Sequence, residues 1–167
     1  MSHHSDNQGI GRMHKAITAA VLQFLPSNLH HLVESWMQPS SIALAAKDTG
    51  VGIELGWMTY TTTIRIENVP FKLIDTASLF AQVSAWLIEH DNERTRLGSD
   101  ESQILIDTEK VDDDTIDIDI DVMFCELISM VGDASGSIAF DGQHYALTTP
   151  IFRVADSIDI TVGTTDD

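Results

Sequence analysis

Apolar residues first recur along this chain at helical spacing and later switch to strict alternation. From Ile10 to Leu25, Met13, Ile17, Ala20, Val21 and Phe24 follow i, i+4, i+7, i+8 and i+11, which paints one stripe on an amphipathic helix. Pro26 stops that helix, because proline lacks the amide proton the next turn would use. Ser27 or Asn28 then offers a cap for a second helix, with Leu29, Leu32, Val33, Trp36 and Met37 on one face and Pro39 as its end. Residues 40–52 hold Ile42-Ala43-Leu44-Ala45-Ala46 followed closely by Gly50 and Gly52, and read as a mobile connection. Two short amphipathic helices in tandem cannot bury their stripes alone, so they must pack on a sheet or on a neighbour.

From Leu55 to Glu67 the period becomes two. Tyr60, Thr62, Ile64 and Ile66 alternate with Thr61, Thr63, Arg65 and Glu67 in a stretch rich in β-branched and aromatic residues, which predicts a long strand broken by Asn68-Val69-Pro70. A helix follows from Thr76 to about His90, capped by Asp75 or Thr76, with Leu79, Val83, Trp86 and Leu87 as its stripe and Phe80 beside them. The charged segment Asp91 to Ser102 reads as a solvated loop. Ile104-Leu105-Ile106 is a short strand, and Thr115 to Phe124 alternates almost without fault. Asp141-Gly142 signals a hairpin joining Ser137–Phe140 to Gln143–Leu147, and Ile158, Ile160 and Val162 suggest a last strand after Pro150. The predicted fold is α+β, a mixed, mainly antiparallel sheet packed against two or three helices. One domain covers residues 1–167, with 1–9 as a flexible tail and 150–167 as a C-terminal extension of unassigned role.

Composition narrows the partners. The chain has 167 residues, enough for a substantial core, and 43% of them are hydrophobic, as in ordinary globular proteins. No run of about 18 apolar residues is present, so no membrane span is expected, and the polar N-terminus has no apolar signal core. A single cysteine, Cys125, excludes an intramolecular disulfide framework and a cysteine-based zinc cluster, and points to synthesis in a reducing cytoplasm. Nine Lys and Arg against 26 Asp and Glu give a formal net charge of −17. The nine cations are scattered singly, whereas grip on a phosphate backbone needs them clustered, so no direct nucleic-acid binding is expected.

No catalytic motif emerges. Asp112-Asp113-Asp114 followed by Asp117, Asp119 and Asp121 resembles a calcium ladder, yet the EF-hand glycine and glutamate are missing. Alternate residues on a strand also point one way in a row, while a cation needs converging ligands. His30 and His31 diverge on their predicted helix, and His14, His90 and His144 lie on separate elements, so neither a metal site nor a catalytic histidine is expected. Cys125 beside Glu126, at the end of a hydrophobic strand, reads as a buried inert thiol. No nucleophile elbow, phosphate loop or dinucleotide fingerprint occurs. Trp36 and Trp86 fall on helical stripes, and Trp57, opening a strand after glycine, is the candidate anchor for a subunit contact.

Taken in order, these pieces resemble a known family. A helix near Arg12–Leu25 and a second helix precede a strand like Tyr60–Ile66. Next comes a helix centred on Ser84-Ala85-Trp86-Leu87-Ile88-Glu89-His90-Asp91-Asn92. Asp114-Thr115-Ile116-Asp117-Ile118-Asp119-Ile120 is then followed by Phe124-Cys125-Glu126. The sequence is similar, over about Arg12 to Leu147, to the tail completion protein R family of peduovirus-type contractile-tailed phages. Its order and spacing, rather than any single motif, carry the likeness; the acidic alternation is stronger here, and residues after Pro150 have no counterpart.

The resemblance implies a structural, cofactor-free protein of the virion tail, assembled in the bacterial cytoplasm, with a tail terminator-like fold. It would cap the finished tube and sheath at the head-proximal end and prepare the surface for the head-completion or neck protein. By analogy with terminators it would form a closed ring, usually six-fold, in which Asp117, Asp119 and Asp121 face the lumen or solvent and repel passing DNA. A different class, an acidic protein-binding module or DNA-mimic inhibitor without a tail role, shares the charge but not the ring; a calcium-dependent enzyme or sensor comes third.

Overall fold

The computed structural model describes residues 10–148. In chain order these form helix α1 (Arg12–Phe24), a 3₁₀ turn at Ser27–Leu32, strands β1 (Val33–Asp48) and β2 (Ile53–Pro70), helix α2 (Thr76–His90), a 3₁₀ turn at Arg94–Arg96, and strands β3 (Ile104–Lys110), β4 (Thr115–Gly132), β5 (Ile138–Phe140) and β6 (Gln143–Thr148). The strands make one sheet in the order β1-β2-β4-β6-β5, with β3 also on β4. All the described pairings are antiparallel. The expected α+β class holds, and the described residues contain two α-helices, within the two or three expected. The strand expected around Ile158, Ile160 and Val162 lies outside the described residues.

Two 18-residue strands, β2 and β4, form the centre. Their register sets Tyr60 opposite Phe124, Thr62 opposite Val122, Ile64 opposite Ile120 and Ile66 opposite Ile118. Opposed residues share a face, so the alternation in both strands builds a single apolar surface. Ile17 and Val21 of α1 and Leu79, Val83 and Leu87 of α2 close over it, and the Tyr60 and Phe124 rings meet at 5.7 Å. Fully burying each such aliphatic side chain contributes about 1.5–3 kcal/mol. Helix α2 matches its predicted limits, and Asp75 caps it by accepting the Ala77 N–H at 3.1 Å. The Asp141-Gly142 hairpin also stands, with φ of 49° and 72°, the paired left-handed geometry that such a two-residue turn requires.

Four expectations need correction. The second helix is absent: after the 3₁₀ turn, the chain extends into β1, where Val33, Ser35 and Met37 are half-buried and Glu34, Trp36 and Gln38 are exposed. The positions that fitted a helical stripe also fit this alternation, and pairing won because β1 satisfies the outer backbone edge of β2. Pro39 sits inside the strand rather than ending it, at a register shift on the sheet's edge, where a missing N–H is tolerated. There the Ser40 hydroxyl donates to the Thr59 carbonyl at 3.0 Å. Second, the predicted connection at residues 40–52 is mostly strand, since β1 runs to Asp48. Third, Asn68-Val69-Pro70 does not break β2. A bulge between Ile66 and Val69, with Asn68 at φ 54°, absorbs the kink and returns Val69 to the core. Fourth, β4 continues to Gly132, so Cys125 and Glu126 lie within it, not at its end.

Candidate functional site

Because Ile118, Ile120 and Val122 point inward, Asp117, Asp119 and Asp121 share the opposite, outer face of β4, and all three are half-buried. Each has a partner. Asp117 Oδ1 accepts the Asn68 N–H at 2.8 Å, and Asp121 Oδ1 accepts the Thr63 hydroxyl at 2.6 Å. Asp119 takes a forked pair from Arg65, Nε and Nη2 each at 2.8 Å. The registers put Glu34, Arg65, Asp119 and Asp107 in one row across β1, β2, β4 and β3, so this row sets one cation against three acids. The next rows place Glu109 beside Asp117 and Leu105 beside Asp121. The side chains stand parallel rather than converging. Among the described residues no group of three or more His, Cys, Asp or Glu is arranged to hold a metal ion.

The Arg65 hydrogen bonds hold the Asp119 carboxyl below the usual aspartate range, against some desolvation. A depressed folded value means the pair's contribution is complete above the unfolded value of about 3.9 and fades as pH falls through the folded one. Both partners are partly solvated, so the contribution is modest. Asp119→Asn should therefore cost about 0.5–1 kcal/mol at neutral pH. Urea melts of variant and parent should converge in strong acid; a deficit that persisted there would exclude this ion pair as its source.

Trp57 lies on the same outer face, but about six residues from Thr63 along β2, roughly 20 Å from the aspartates at strand rise. The Arg96 guanidinium stacks over its ring at 3.6 Å and is held by Glu93 at 2.5 Å. One face of the indole is thus already covered. Trp36 is exposed on β1 rather than on a helical stripe, and Trp86 stacks against His90 at 4.8 Å.

Two polar centres escaped sequence reasoning. The segment after α2 is not simply solvated: Arg94 donates twice to the Ser102 carbonyl, at 3.0 and 2.6 Å, once to the Met123 carbonyl at 3.0 Å, and once to the buried Asp91 carboxylate at 3.1 Å. Strand β3 pairs with β4 only up to Val122, and β6 only from Ser129, so Arg94 occupies the gap between them. Burial pushes the Asp91 carboxyl up, against the pull of Arg94.

The second centre lies on the core face, where Glu126 is only 3% exposed. Its Oε2 accepts the Gly11 N–H at 2.8 Å, its Oε1 faces Arg12 Nε at 3.3 Å, and the Tyr60 hydroxyl bonds to it as well. The His14 N–H donates to the Tyr60 hydroxyl at 3.2 Å, and the His14 ring meets the buried Thr62 hydroxyl at 3.2 Å. Gly11 holds φ 93°, a left-handed cap that turns its N–H toward the carboxylate. Desolvation raises the Tyr60 phenol, with Glu126 adding to it, and lowers His14. One signal could have revealed Glu126: it shares the inward parity of Val122 and Phe124, and an acid there needs a partner. The site thus joins a partnered acidic outer face to a hydrogen-bonded inner network.

Against known proteins, the model of the family described as P2 phage tail completion protein R (GpR) matches residues 11–149. A protein of Haemophilus phage HP1, described as an uncharacterized 19.2 kDa protein in the rep-hol intergenic region, is 30% identical over 151 residues, which cover 90% of each chain. No solved structure matches. The family match takes in both α-helices and all six strands of the described residues.

Proposed function

This chain belongs to the P2 phage tail completion protein R (GpR) family, and from that premise we propose that it is a non-catalytic, terminator-like part of the virion tail. It caps the assembled tube and sheath at the head-proximal end and presents the surface that the head-completion or neck protein joins. The observation that carries this reading is the extent of the family match, which takes in both polar centres and the whole central sheet. The physical chemistry supports it in two ways. Among the described residues, Thr115 Oγ1 is the one buried side-chain polar atom without a hydrogen-bond partner, so the polar interior is spent on holding shape. The acidic outer face, carrying Asp117, Asp119 and Asp121, repels DNA, which suits a ring lumen through which a genome must slide.

Electron micrographs of particles produced without this protein test the reading directly. Tails of abnormal length and heads without tails are expected, with infectious titre restored by supplying the protein in trans. Normal particles at normal titre would remove the capping role. Light scattering of the purified chain, alone and with tails lacking it, then separates a tail cap from an acidic inhibitor of another protein: the cap associates with tail ends, and the inhibitor stays free.

A further inference from the structure

We propose that copies of this chain join head to tail through the two edges of the sheet, with β1 of one copy pairing along the β5–β6 edge of the next. This inference rests on the tail-end role above and specifies the contact that would build its ring. Strand β1 is an edge whose described sheet partner is β2 alone, and it presents a row of backbone groups to the outside. In a chain of net charge −17, Met37 to Ala46 carries no charged side chain, while its exposed surface includes Ile42 at 53% and Leu44 at 86%. Edges normally resist pairing through charges, prolines and bulges. Here the bulges lie at Pro39/Ser41 and Leu44/Lys47 and leave one regular window, Ser41–Leu44, between them.

The opposite edge of the described sheet is its counterpart. Strand β5 is three residues, Ile138–Phe140, a length that fits the four-residue window. Between Gly136 and Thr148 the one acid is Asp141, which sits in the turn, and no Lys or Arg occurs. Phe140 and Leu147 are exposed there. The registers put Ile42 and Leu44 on the same side of the sheet as Ile138, Phe140 and Leu147, through Met58 and Gly56 on β2 and Met130 and Gly132 on β4. An edge-to-edge junction would therefore continue the apolar side of one sheet into the next. Two copies this acidic repel wherever charged faces meet, so the uncharged edges are where a second copy can approach. Unlike edges meeting give a heterologous contact, which repeats and closes into a ring if its rotation allows.

Cross-linking tests the contact. Ala43→Cys and Ala139→Cys, combined in one chain, should yield a ladder of trimers and larger species with a short bismaleimide, in the purified protein or in isolated tails. Neither single variant should pass beyond the uncross-linked chain, and the parent, whose Cys125 is buried, serves as the control. Leu44→Glu should abolish the assembled form without lowering the monomer's melting temperature, because its side chain is largely exposed. Dimers from Ala43→Cys alone at the yield of the double variant would overturn the proposal in favour of like edges meeting. So would the absence of products in both preparations. Normal tails made without the protein would instead sink the capping role, leaving the ladder to report on the edge contact by itself.

Discussion

Glu126→Ala should be among the most destabilising single changes in the described fold, lowering stability by about 3–5 kcal/mol. The substitution removes an acceptor shared by the Gly11 N–H, the Tyr60 hydroxyl and the Arg12 guanidinium, and the first two of these donors are buried. At this chain length each kcal/mol moves the melting temperature by roughly 2–4 °C, so a fall of about 10 °C is expected by calorimetry. Glu126→Gln keeps an acceptor oxygen but not the charge and should lose less. Combining Tyr60→Phe with Glu126→Gln should cost less than the sum of the two single changes, because the phenol and the carboxylate satisfy each other. Additive losses would show that the two act separately. The start of α1 should loosen first: amide exchange at Lys15, whose N–H bonds to the Gly11 carbonyl, should accelerate more than exchange at the centre of β4.

How legible this molecule is depends on the distance over which each interaction acts. Helix α2 could be read because its cap, stripe and end all lie within Asp75–Asp91. The alternation of β4 and the Asp141-Gly142 turn are equally local, so both appear in the sequence at their observed places. Strand β1 is the contrary case. Leu29, Leu32, Val33, Trp36 and Met37 satisfy the helical template while Val33, Ser35 and Met37 satisfy the extended one, and the sequence alone offers no way to choose. The choice is made by β2, whose outer edge needs hydrogen-bond partners from Ile53 to Ile66. Proline at position 39 looks like a helix stop until the strand is known to be an edge. The candidate site divides the same way. The shared face of Asp117, Asp119 and Asp121 follows from period two, but their partners Asn68, Arg65 and Thr63 come from another strand. The sequence pattern makes Trp57 open a strand, whereas β2 begins at Ile53, and the arginine covering its ring comes from the 3₁₀ turn that follows α2 in the chain. Glu126 and Gly11 are 115 residues apart, so only the folded topology makes them a pair.

Arg94→Ala should cost about 3–5 kcal/mol at neutral pH, and its cost should depend on pH in a direction fixed by Asp91. The arginine ties this segment to β4 through its bond to the Met123 carbonyl, and its loss strands both that carbonyl and a carboxylate whose side chain is 3% exposed. Desolvation already raises the Asp91 carboxyl above its ordinary value with Arg94 in place, and without the cation it must rise further. A group whose folded value lies above its unfolded value of about 3.9 binds more protons when folded, so stability is greatest in acid and falls as pH rises through the folded value. The deficit of Arg94→Ala relative to the parent should therefore be smaller at pH 4.5 than at pH 7.5 in matched urea melts. Adding Asp91→Asn removes the charge and should recover part of the neutral-pH loss while flattening the pH dependence. A deficit equal at both pH values, or one that Asp91→Asn deepens, would place the arginine's contribution in its carbonyl bonds alone. Because Arg96 sits two residues on and covers Trp57, the same variant should also free that indole, seen as a shift in tryptophan fluorescence that the parent lacks.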